Sequence, residues 1–294
     1  MKKLRGTFVV MATPFDENEE VDFNAMEKNI EWYLKNEVHG IIPLGSTGEF
    51  STLSEEERLK IAEFVVEKVN GRIPVCVSTS ANSTFKTIEY TKHAQSIGAD
   101  GVLIISPYYF NPLQDEILYH FETIADNVDI PIMLYNNPGT SGVDMELETV
   151  LKLAKKDNIE YIKESTGDII RLREIERLKD DNITTFCGSE ELVVESFFLG
   201  AQGWVSVIAN AFPRKASAIF EAAVLENDYK KASEIYYQIL PICNELEQSG
   251  KLVQVLKYCM DKRGANGGNY RSPKQGLDKK YLKKLDKLIE KASE

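Results

Sequence analysis

The alternation of short apolar segments with longer amphipathic ones is the sequence feature that most restricts the fold of this chain. Eight segments are rich in β-branched and other apolar residues, and two of them, GVLIIS and IPIMLY, are almost continuously apolar. Such strands are typical of parallel sheets that are covered on both faces. The predicted strands span residues 7–15, 40–46, 74–80, 101–107, 131–136, 159–165, 184–189 and 203–209.

A helix is predicted after each of these strands. The predicted helices span residues 22–37, 54–69, 82–97, 115–126, 144–156, 168–179, 190–199 and 213–225. Ser54-Glu55-Glu56-Glu57 has the pattern of a capping box, and Asn82 or Ser83 is expected to cap the third helix. Eight strand–helix units in a row predict an α/β fold, the (β/α)8 TIM barrel. A doubly wound open sheet is the alternative, but Thr13-Pro14-Phe15-Asp16 is not the glycine-rich turn that such a sheet would have after its first strand.

The last ~70 residues break this alternation. Three helices are predicted there, over residues 228–248, 251–262 and 274–290, with a glycine-rich loop at 263–270. The sequence therefore predicts a barrel catalytic domain over residues 1–225 and a C-terminal extension of three helices over residues 226–294.

Composition and charge exclude several classes of partner. The net charge is -11, and such a surface repels nucleic acid and anionic membranes. No apolar run approaches the ~20 residues of a membrane span, and the N-terminus has no signal-peptide pattern, so a cytoplasmic location is expected. The four cysteines form no C-x-x-C pair and are expected to be buried free thiols. The three histidines are isolated, which leaves little for a metal site or a histidine-based triad.

In a barrel of this kind the active site lies at the C-terminal ends of the strands. Lys163 lies inside an apolar predicted strand, where burial favours the neutral amine that can attack a carbonyl carbon. The structural alternative is a lysine that reaches solvent from the strand end, or that pairs with Glu164 or Glu49. Both interpretations remain open from the strand alone.

Two further strand ends carry candidate groups. The phenol of Tyr135 could relay protons, although a core tyrosine with a satisfied hydroxyl is the simpler interpretation. The small residues of the turn 45–48, with the hydroxyls of Ser46 and Thr47, could bind a carboxylate or phosphate, but many loops that enter helices look similar. Tyr108 and Tyr109, after the fourth predicted strand, could form an aromatic interface patch.

Taken together, these segments resemble the dihydrodipicolinate synthase / N-acetylneuraminate lyase family of class I aldolases. The resemblance covers essentially the whole chain, and six motifs that follow one another in order at strand ends carry it. These motifs are Thr13-Pro14-Phe15, Gly45-Ser46-Thr47-Gly48-Glu49, Ser106-Pro107-Tyr108-Tyr109, Tyr135-Asn136-Asn137-Pro138, Lys163-Glu164-Ser165-Thr166-Gly167-Asp168 and Gly203-Trp204-Val205-Ser206-Val207.

The resemblance implies a role for each candidate. Lys163 would form an imine with pyruvate or another 2-oxo acid, and Tyr135 would shuttle protons. Ser46, Thr47 and Gly48 would hold the substrate carboxylate, and Thr47 and Tyr109 would extend the relay. Tyr109 would reach the site from a neighbouring subunit of a homotetramer, a dimer of dimers. No metal and no organic cofactor is needed, because the protonated imine is itself the electron sink.

Some positions depart from dihydrodipicolinate synthases. The arginine that grips the aldehyde's carboxylate in those enzymes is replaced here by Thr140, which weighs against the lysine-biosynthesis reaction. Ser165 resembles the neuraminate lyase side of the family. Gly188, Glu190 and Glu191 fall where lyases contact a polyhydroxylated chain, and Val207 is expected near the same end of the substrate. Equally, the two glutamates could simply occupy the first turn of the next helix.

Three enzymatic functions would each proceed through an imine on Lys163. The first is a lyase or aldolase that releases pyruvate from a sugar-derived 2-oxo acid. The second is a synthase that condenses pyruvate with an aldehyde such as aspartate semialdehyde. The third is a dehydratase or deaminase of a hydroxylated 2-oxo acid or cyclic imino acid. A non-enzymatic barrel that binds a sugar acid is the remaining alternative, and it would require Lys163 to be paired and inert.

Overall fold

A computed structural model describes residues 2–179 and 182–293 of the chain. Its centre is an eight-stranded parallel sheet with the strand order β2-β1-β8-β7-β6-β5-β4-β3. A parallel bridge between Ile41 and Val75 joins the two outer strands and closes the sheet into a barrel. The strands are β1 (Gly6–Val10), β2 (Gly40–Ile42), β3 (Cys76–Ser78), β4 (Gly101–Ile105), β5 (Ile132–Asn136), β6 (Ile159–Glu164), β7 (Thr184–Cys187) and β8 (Gly203–Ser206).

Helices surround this barrel and extend beyond it. They are α1 (Phe23–Lys35), α2 (Glu55–Val69), α3 (Thr84–Ser96), α4 (Gln114–Ala125), α5 (Pro138–Ser141), α6 (Leu147–Leu153), α7 (Ile169–Leu178), α8 (Val193–Leu199), α9 (Pro213–Phe220), α10 (Tyr229–Gln248), α11 (Leu252–Arg263) and α12 (Lys279–Ser293). The predicted (β/α)8 barrel with a C-terminal helical extension is confirmed. No helix in the described part of the chain is long and apolar enough to cross a bilayer.

The predicted strands and helices exist, but most are shorter than the sequence pattern suggested. The first strand ends at Val10 rather than at residue 15, and α12 begins five residues later than predicted. The short helix α5 lies where only a loop was expected. At α2 the capping box between Ser54 and Glu57 is confirmed, and the cap of α3 is Ser83. The segments that were predicted as the ends of strands, but that the structure shows as loops, form the candidate site.

Aromatic residues fill the barrel interior, and glycines make room for them. The rings of Phe8 and Phe186 meet edge to face with their centroids 5.6 Å apart. A Cβ atom on Gly40 would lie 2.2 Å from the Phe8 ring, and one on Gly203 would lie 2.1 Å from the Phe186 ring. Interiors are close-packed, so neither glycine can be enlarged without displacing an aromatic ring. Tyr161 on β6 packs against Phe186 with 5.9 Å between the centroids, which shows which face of β6 points inward.

The C-terminal extension reaches back to the end of the barrel at which the strands terminate. The backbone N–H of Asn269 donates a 2.8 Å hydrogen bond to the carbonyl of Phe15, in the loop that follows β1. Lys257 on α11 is almost fully buried and its amine donates to the carbonyls of Thr13, at 2.7 Å, and Asn269, at 2.5 Å. The extension therefore supports the loops around the barrel mouth. All four cysteines are buried and free, as predicted.

Candidate active site

Lys163 and Tyr135 are direct neighbours across two adjacent parallel strands. They are register partners on β6 and β5, and both side chains are almost fully buried. Successive side chains of a strand point to opposite faces, so Lys163 shares the inward face with Tyr161. The Lys163 amine nitrogen lies 3.9 Å from the centroid of the Tyr135 ring. The fold therefore places a buried amine directly beside a phenol at the carboxyl end of the barrel.

Lys163 forms no salt bridge with any carboxylate among the described residues. Its neighbour Glu164 faces away, and accepts hydrogen bonds from the Asn136 amide at 3.1 Å and the Thr166 N–H at 2.7 Å. Glu49 is occupied as well, because the Lys257 amine lies 2.8 Å from one of its oxygens. The structure thus contradicts the alternative in which Lys163 is paired with Glu164 or Glu49.

The Tyr135 phenol lies in a polar cluster despite its burial. Burial raises its pKa, but the positive charge of Lys163 and hydrogen bonds from Asn137, Lys163 and Ser46 outweigh burial, so the pKa of Tyr135 falls below its usual value. The Asn137 side-chain amide donates to the phenol oxygen at 2.9 Å. A phenol with a lowered pKa can give up and recover a proton more readily near neutral pH, which is what a proton shuttle requires.

The turn that follows β2 is a single 3-10 turn, Ser46–Gly48. Ser46 is exposed at this turn, whereas Thr47 and Gly48 are buried. The Thr13 hydroxyl donates to the Gly48 carbonyl at 2.8 Å and fixes the turn from the side of β1. The N–H groups at the start of such a turn have no acceptor within it and can point at a ligand. The geometry is compatible with binding of a substrate carboxylate there.

Glu49 anchors the other end of this turn. It adopts a left-handed conformation with φ 57°, and its side chain is fully buried. The Lys257 amine lies 2.8 Å from one carboxylate oxygen, and the Lys274 amine lies 2.9 Å from the other. Burial lowers the pKa of Lys257 to about 8, against the opposing effect of the Glu49 charge. A buried, charged cluster from the C-terminal extension thus holds the turn that carries Ser46 and Thr47.

Gly188 leaves space next to Lys163. A Cβ atom at this position would lie 2.9 Å from Cε of Lys163 and 1.8 Å from the hydroxyl oxygen of Ser165. The Ser165 hydroxyl is buried and has no hydrogen-bond partner among the described residues. A buried hydroxyl without a protein partner is unfavourable, so it is a natural contact for a polar ligand.

Glu190 lies inside the protein rather than at an open surface. Its side chain is fully buried, and its two oxygens accept hydrogen bonds from the backbone N–H groups of Val207, at 2.6 Å, and Ile208, at 3.0 Å. Burial raises the pKa of Glu190 to about 8, although these two N–H groups and the Lys163 charge oppose that rise. Glu190 therefore joins the end of β7 to the end of β8, and much of its hydrogen-bonding capacity is already used.

The remaining predicted site residues lie at the rim. Thr140 is exposed, and its backbone N–H is bonded to the carbonyl and to the side chain of Asn137. Tyr109 is 89% exposed. Val207 is buried and contributes its N–H to the bond with Glu190.

Two residues with evident roles at the site were not identified from the sequence. Asn137 lies two positions after Tyr135 at the end of a strand, and this spacing on a strand puts two side chains on the same side. Lys257 occupies a buried position on α11, between Val253 and Met260. A lysine within the apolar stripe of a helix was the available signal. Among the described residues no group of three or more His, Cys, Asp or Glu side chains could hold a metal ion.

A (β/α)8 barrel with a buried lysine beside a tyrosine at its strand ends has the site of a class I aldolase, an enzyme that works through a Schiff base. The comparisons with known proteins agree. The profile of the dihydrodipicolinate synthetase family matches residues 3–292. The chain belongs to this family, and it is an enzyme of the lyase class.

Individual relatives match over almost their whole length. A 4-hydroxy-tetrahydrodipicolinate synthase from Oceanobacillus iheyensis is 36% identical over 279 residues, which covers 95% of this chain and 94% of the relative. One from Clostridium tetani is 38% identical over 290 residues, 98% of each chain. The crystal structure of the chloride-inhibited dihydrodipicolinate synthase from Acinetobacter baumannii complexed with pyruvate superposes with a TM-score of 0.95 at 32% identity, over 99% of both chains. The non-enzymatic alternative is therefore wrong.

Proposed function

We propose that this protein is a pyruvate-dependent class I aldolase in which Lys163 forms the Schiff base. The observation that carries the proposal is the buried Lys163 amine, 3.9 Å from the centroid of the Tyr135 ring and without a carboxylate partner among the described residues. An unpaired buried amine costs folding free energy, so its presence at a strand end points to chemistry rather than stability. The Acinetobacter baumannii relative was crystallised with pyruvate, which supports the choice of the 2-oxo acid.

The proposed reaction begins when the Lys163 ammonium group gives up a proton and the free amine attacks C2 of pyruvate to form a carbinolamine. Tyr135, coupled to Ser46, delivers a proton to the departing hydroxyl, and water leaves as the C=N bond forms. The protonated imine then withdraws electrons from C3, which loses a proton to give an enamine. The enamine carbon attacks the aldehyde carbon, whose oxygen takes up a proton to become a hydroxyl group. Addition of water to the new imine then releases the product and restores the amine. Cleavage follows the same steps in reverse.

The turn Ser46–Gly48 is proposed to bind the carboxylate of the 2-oxo acid. Hydroxyl and N–H donors favour an anion there, and the buried Glu49 fixes the turn without facing the ligand. Thr47 is proposed to support the relay, although Ser46 is the hydroxyl that contributes to the lowered pKa of Tyr135. Gly188 and Ser165 are proposed to line the space next to the imine.

For the second substrate we propose an aldehyde that carries hydroxyl groups rather than a carboxylate near Thr140. Thr140 is exposed and uncharged, where a dihydrodipicolinate synthase would present an arginine. The unpartnered Ser165 hydroxyl supports a hydroxylated ligand. Because Glu190 already accepts two backbone hydrogen bonds, its proposed contribution to this ligand is small.

The second candidate function is synthesis of 4-hydroxy-tetrahydrodipicolinate from pyruvate and aspartate semialdehyde. The observation that favours it is the name of the curated relatives, which are 36% and 38% identical over nearly the full length. The two candidates share every step up to the enamine and differ only in the aldehyde.

We also propose a cytoplasmic homotetramer, arranged as a dimer of dimers. Two separate apolar areas of the described surface support two different contacts between copies. One contains Tyr109, with 89% of its surface exposed, and Leu113, with 67%. The other contains Ile170, 52% exposed, and Phe198, 70% exposed, and lies on α7 and α8. Contiguous exposed apolar residues usually mark interaction sites. In such an assembly Tyr109 would enter the active site of a neighbouring subunit. Light scattering that finds a monomer at micromolar concentration would exclude this tetramer.

The experiment that tests the function is borohydride reduction in the presence of pyruvate, read by mass spectrometry of the peptide that contains Lys163. A stable adduct on Lys163 is expected in the wild type and not in Lys163→Arg. The unreduced enzyme is then screened, in the presence of pyruvate, with hydroxylated aldehydes and with aspartate semialdehyde, and the reduced adduct, which cannot turn over, serves as the blank. An adduct that forms only with a longer 2-oxo acid would favour the dehydratase or deaminase, and no adduct with any 2-oxo acid would refute the proposal.

A further inference from the structure

Asn137 connects the loop at the rim of the site to the phenol in its interior. The residue caps α5, and its side-chain oxygen accepts a hydrogen bond from the Thr140 N–H at 3.2 Å. Its side-chain nitrogen donates to the phenol oxygen of Tyr135 at 2.9 Å. A single side-chain amide thus contacts both the turn that faces the second substrate and the proposed proton shuttle.

The orientation of this amide follows from its partners. A backbone N–H can only donate a hydrogen bond, so the Asn137 oxygen must face Thr140. The nitrogen must then face Tyr135, where it can only donate. A donor placed on a phenol oxygen stabilises the phenolate more than the neutral phenol. The cap at the start of α5 therefore fixes the group that favours loss of the Tyr135 proton.

We propose that Asn137 is a positioning residue of the proton relay: its amide holds the Tyr135 phenol oxygen in place and stabilises its ionised form. The proposal rests on the Schiff-base function proposed above, and deepens it. It assigns to the second asparagine of Tyr135-Asn136-Asn137-Pro138 a role distinct from that of the first. Asn136 is bonded to Asp144, at 2.8 Å, and to Glu164 on the outer face of the barrel.

Side chains from neighbouring strands and turns also act on the Tyr135 phenol. Lys163 on β6 is the charged side chain that faces Tyr135, and Ser46 from the turn after β2 contributes an uncharged hydroxyl. On the β4 side the register partner of Tyr135 is Ile105, which carries no charge. The buried acid Glu190 also acts on this cluster, through its electrostatic interaction with Lys163. Asn137 is thus an uncharged donor to the phenol, and Asn137→Leu removes this donor without changing the net charge.

Two substitutions distinguish the role of the Asn137 side-chain oxygen from that of its side-chain nitrogen. Asn137→Asp keeps an oxygen that can cap the Thr140 N–H but presents no N–H to the phenol at neutral pH. Asn137→Leu has a similar volume and loses both contacts. Asn127→Asp is the matched control, because Asn127 is exposed at the end of α4 and its side-chain amide donates to the Thr123 carbonyl at 2.9 Å, away from the site.

The first measurement is the rate of imine formation with pyruvate, trapped by cyanoborohydride on Lys163, as a function of pH. We expect both Asn137 variants to slow trapping at neutral pH by about tenfold and to raise the apparent pKa of the rate profile by about 1, because one stabilising hydrogen bond to the phenolate is lost. Asn127→Asp is expected to match the wild type. Slower trapping with an unchanged profile, or an Asn137→Asp variant that behaves as wild type, would show that only the cap matters and would overturn the proposal.

The second measurement does not depend on activity. The ultraviolet titration of Tyr135 is isolated as the difference between each protein and the same protein with Tyr135→Phe. The phenol is expected to ionise at higher pH in Asn137→Leu than in the wild type. An unchanged titration refutes the role of Asn137 even if pyruvate forms no adduct, whereas a wild type that forms no adduct but shows the expected titration refutes only the Schiff-base function.

Discussion

The amine of Lys163 lies 3.9 Å from the centroid of the Tyr135 ring, because the two residues are register partners on neighbouring parallel strands. Parallel strands place register partners at the same height of a barrel, so this approach is fixed by backbone hydrogen bonds rather than by flexible loops. The proposed nucleophile and the proposed proton shuttle are therefore held at one place before any substrate binds.

Replacement of Lys163 is expected to abolish turnover without loss of the fold. Lys163→Ala and Lys163→Arg remove the amine that is placed for imine formation, since neither new side chain can form a C=N bond with pyruvate at this site. The free energy of unfolding of Lys163→Met is expected to equal that of the wild type or to exceed it by up to ~1 kcal/mol. The reason is that the substitution removes a buried amine without a carboxylate partner. Activity assays and thermal unfolding measure both effects, with the exposed Lys92→Met as control. Substantial residual turnover would contradict the assignment of Lys163 as the residue that forms the Schiff base.

Tyr135→Phe is expected to slow turnover by ~100-fold or more, in line with the contribution of a well-placed general acid–base group. The ring remains, so packing against Lys163 and the barrel interior is preserved. Tyr237→Phe, at a position that is 65% exposed, is the matched control and should leave the turnover rate unchanged. A loss smaller than about threefold would mean that the phenol is structural.

Thr140→Arg is expected to raise kcat/KM for aspartate semialdehyde by about tenfold, because a guanidinium at this rim position can pair with the carboxylate of the aldehyde. Thr140→Met adds length without charge and is not expected to produce this gain. The assay is condensation with pyruvate at a fixed concentration. If the wild type already uses aspartate semialdehyde as efficiently as Thr140→Arg does, the proposed preference for hydroxylated aldehydes is wrong.

Lys257→Met is expected to lower the free energy of unfolding by about 3–5 kcal/mol, because it leaves the fully buried Glu49 without its closest cation. It should also raise the KM for pyruvate, since Glu49 anchors the turn that carries Ser46. Lys274→Met removes the more exposed cation from the same carboxylate and should cost about 1 kcal/mol. Chemical denaturation gives the stabilities. The double variant Glu49→Gln/Lys257→Met should recover part of the lost stability, and no recovery would argue against a charge-based effect.

Glu190→Gln is expected to alter how stability depends on pH. The pKa of Glu190 is raised from 4.5 to about 8 in the folded state, so the folded protein binds the proton more tightly than the unfolded chain. The stability that Glu190 contributes is therefore fully present below pH 4.5 and is lost as the pH rises through about 8. Because one pKa unit corresponds to about 1.4 kcal/mol, Glu190→Gln should gain up to about 5 kcal/mol relative to the wild type between these limits. Denaturation at several pH values tests this, with Glu191→Gln as control, and parallel curves would contradict it.

The fold could be predicted well because it depends on repeated patterns along the chain. Eight apolar segments, each followed by an amphipathic one, leave few arrangements that bury every strand, and the barrel is one of them. The lengths of the elements were less predictable. Residues 11–15 have the composition of a strand, but β1 ends at Val10, and Phe15 instead forms an isolated antiparallel bridge with Asn269 of the C-terminal extension. A contact between residues so far apart leaves no local signal.

At the site, local patterns were enough to identify the available groups: a lysine in an apolar strand, a tyrosine at the end of a neighbouring strand, and a turn of small residues with two hydroxyls. Those patterns do not specify which groups meet. The folded barrel places Lys163 against Tyr135 rather than Glu164, pairs Glu49 with Lys257, and directs Glu190 to the Val207 and Ile208 N–H groups. The physical reason is that strand register, burial and charge pairing depend on residues distant in sequence, whereas propensity and periodicity are properties of neighbours.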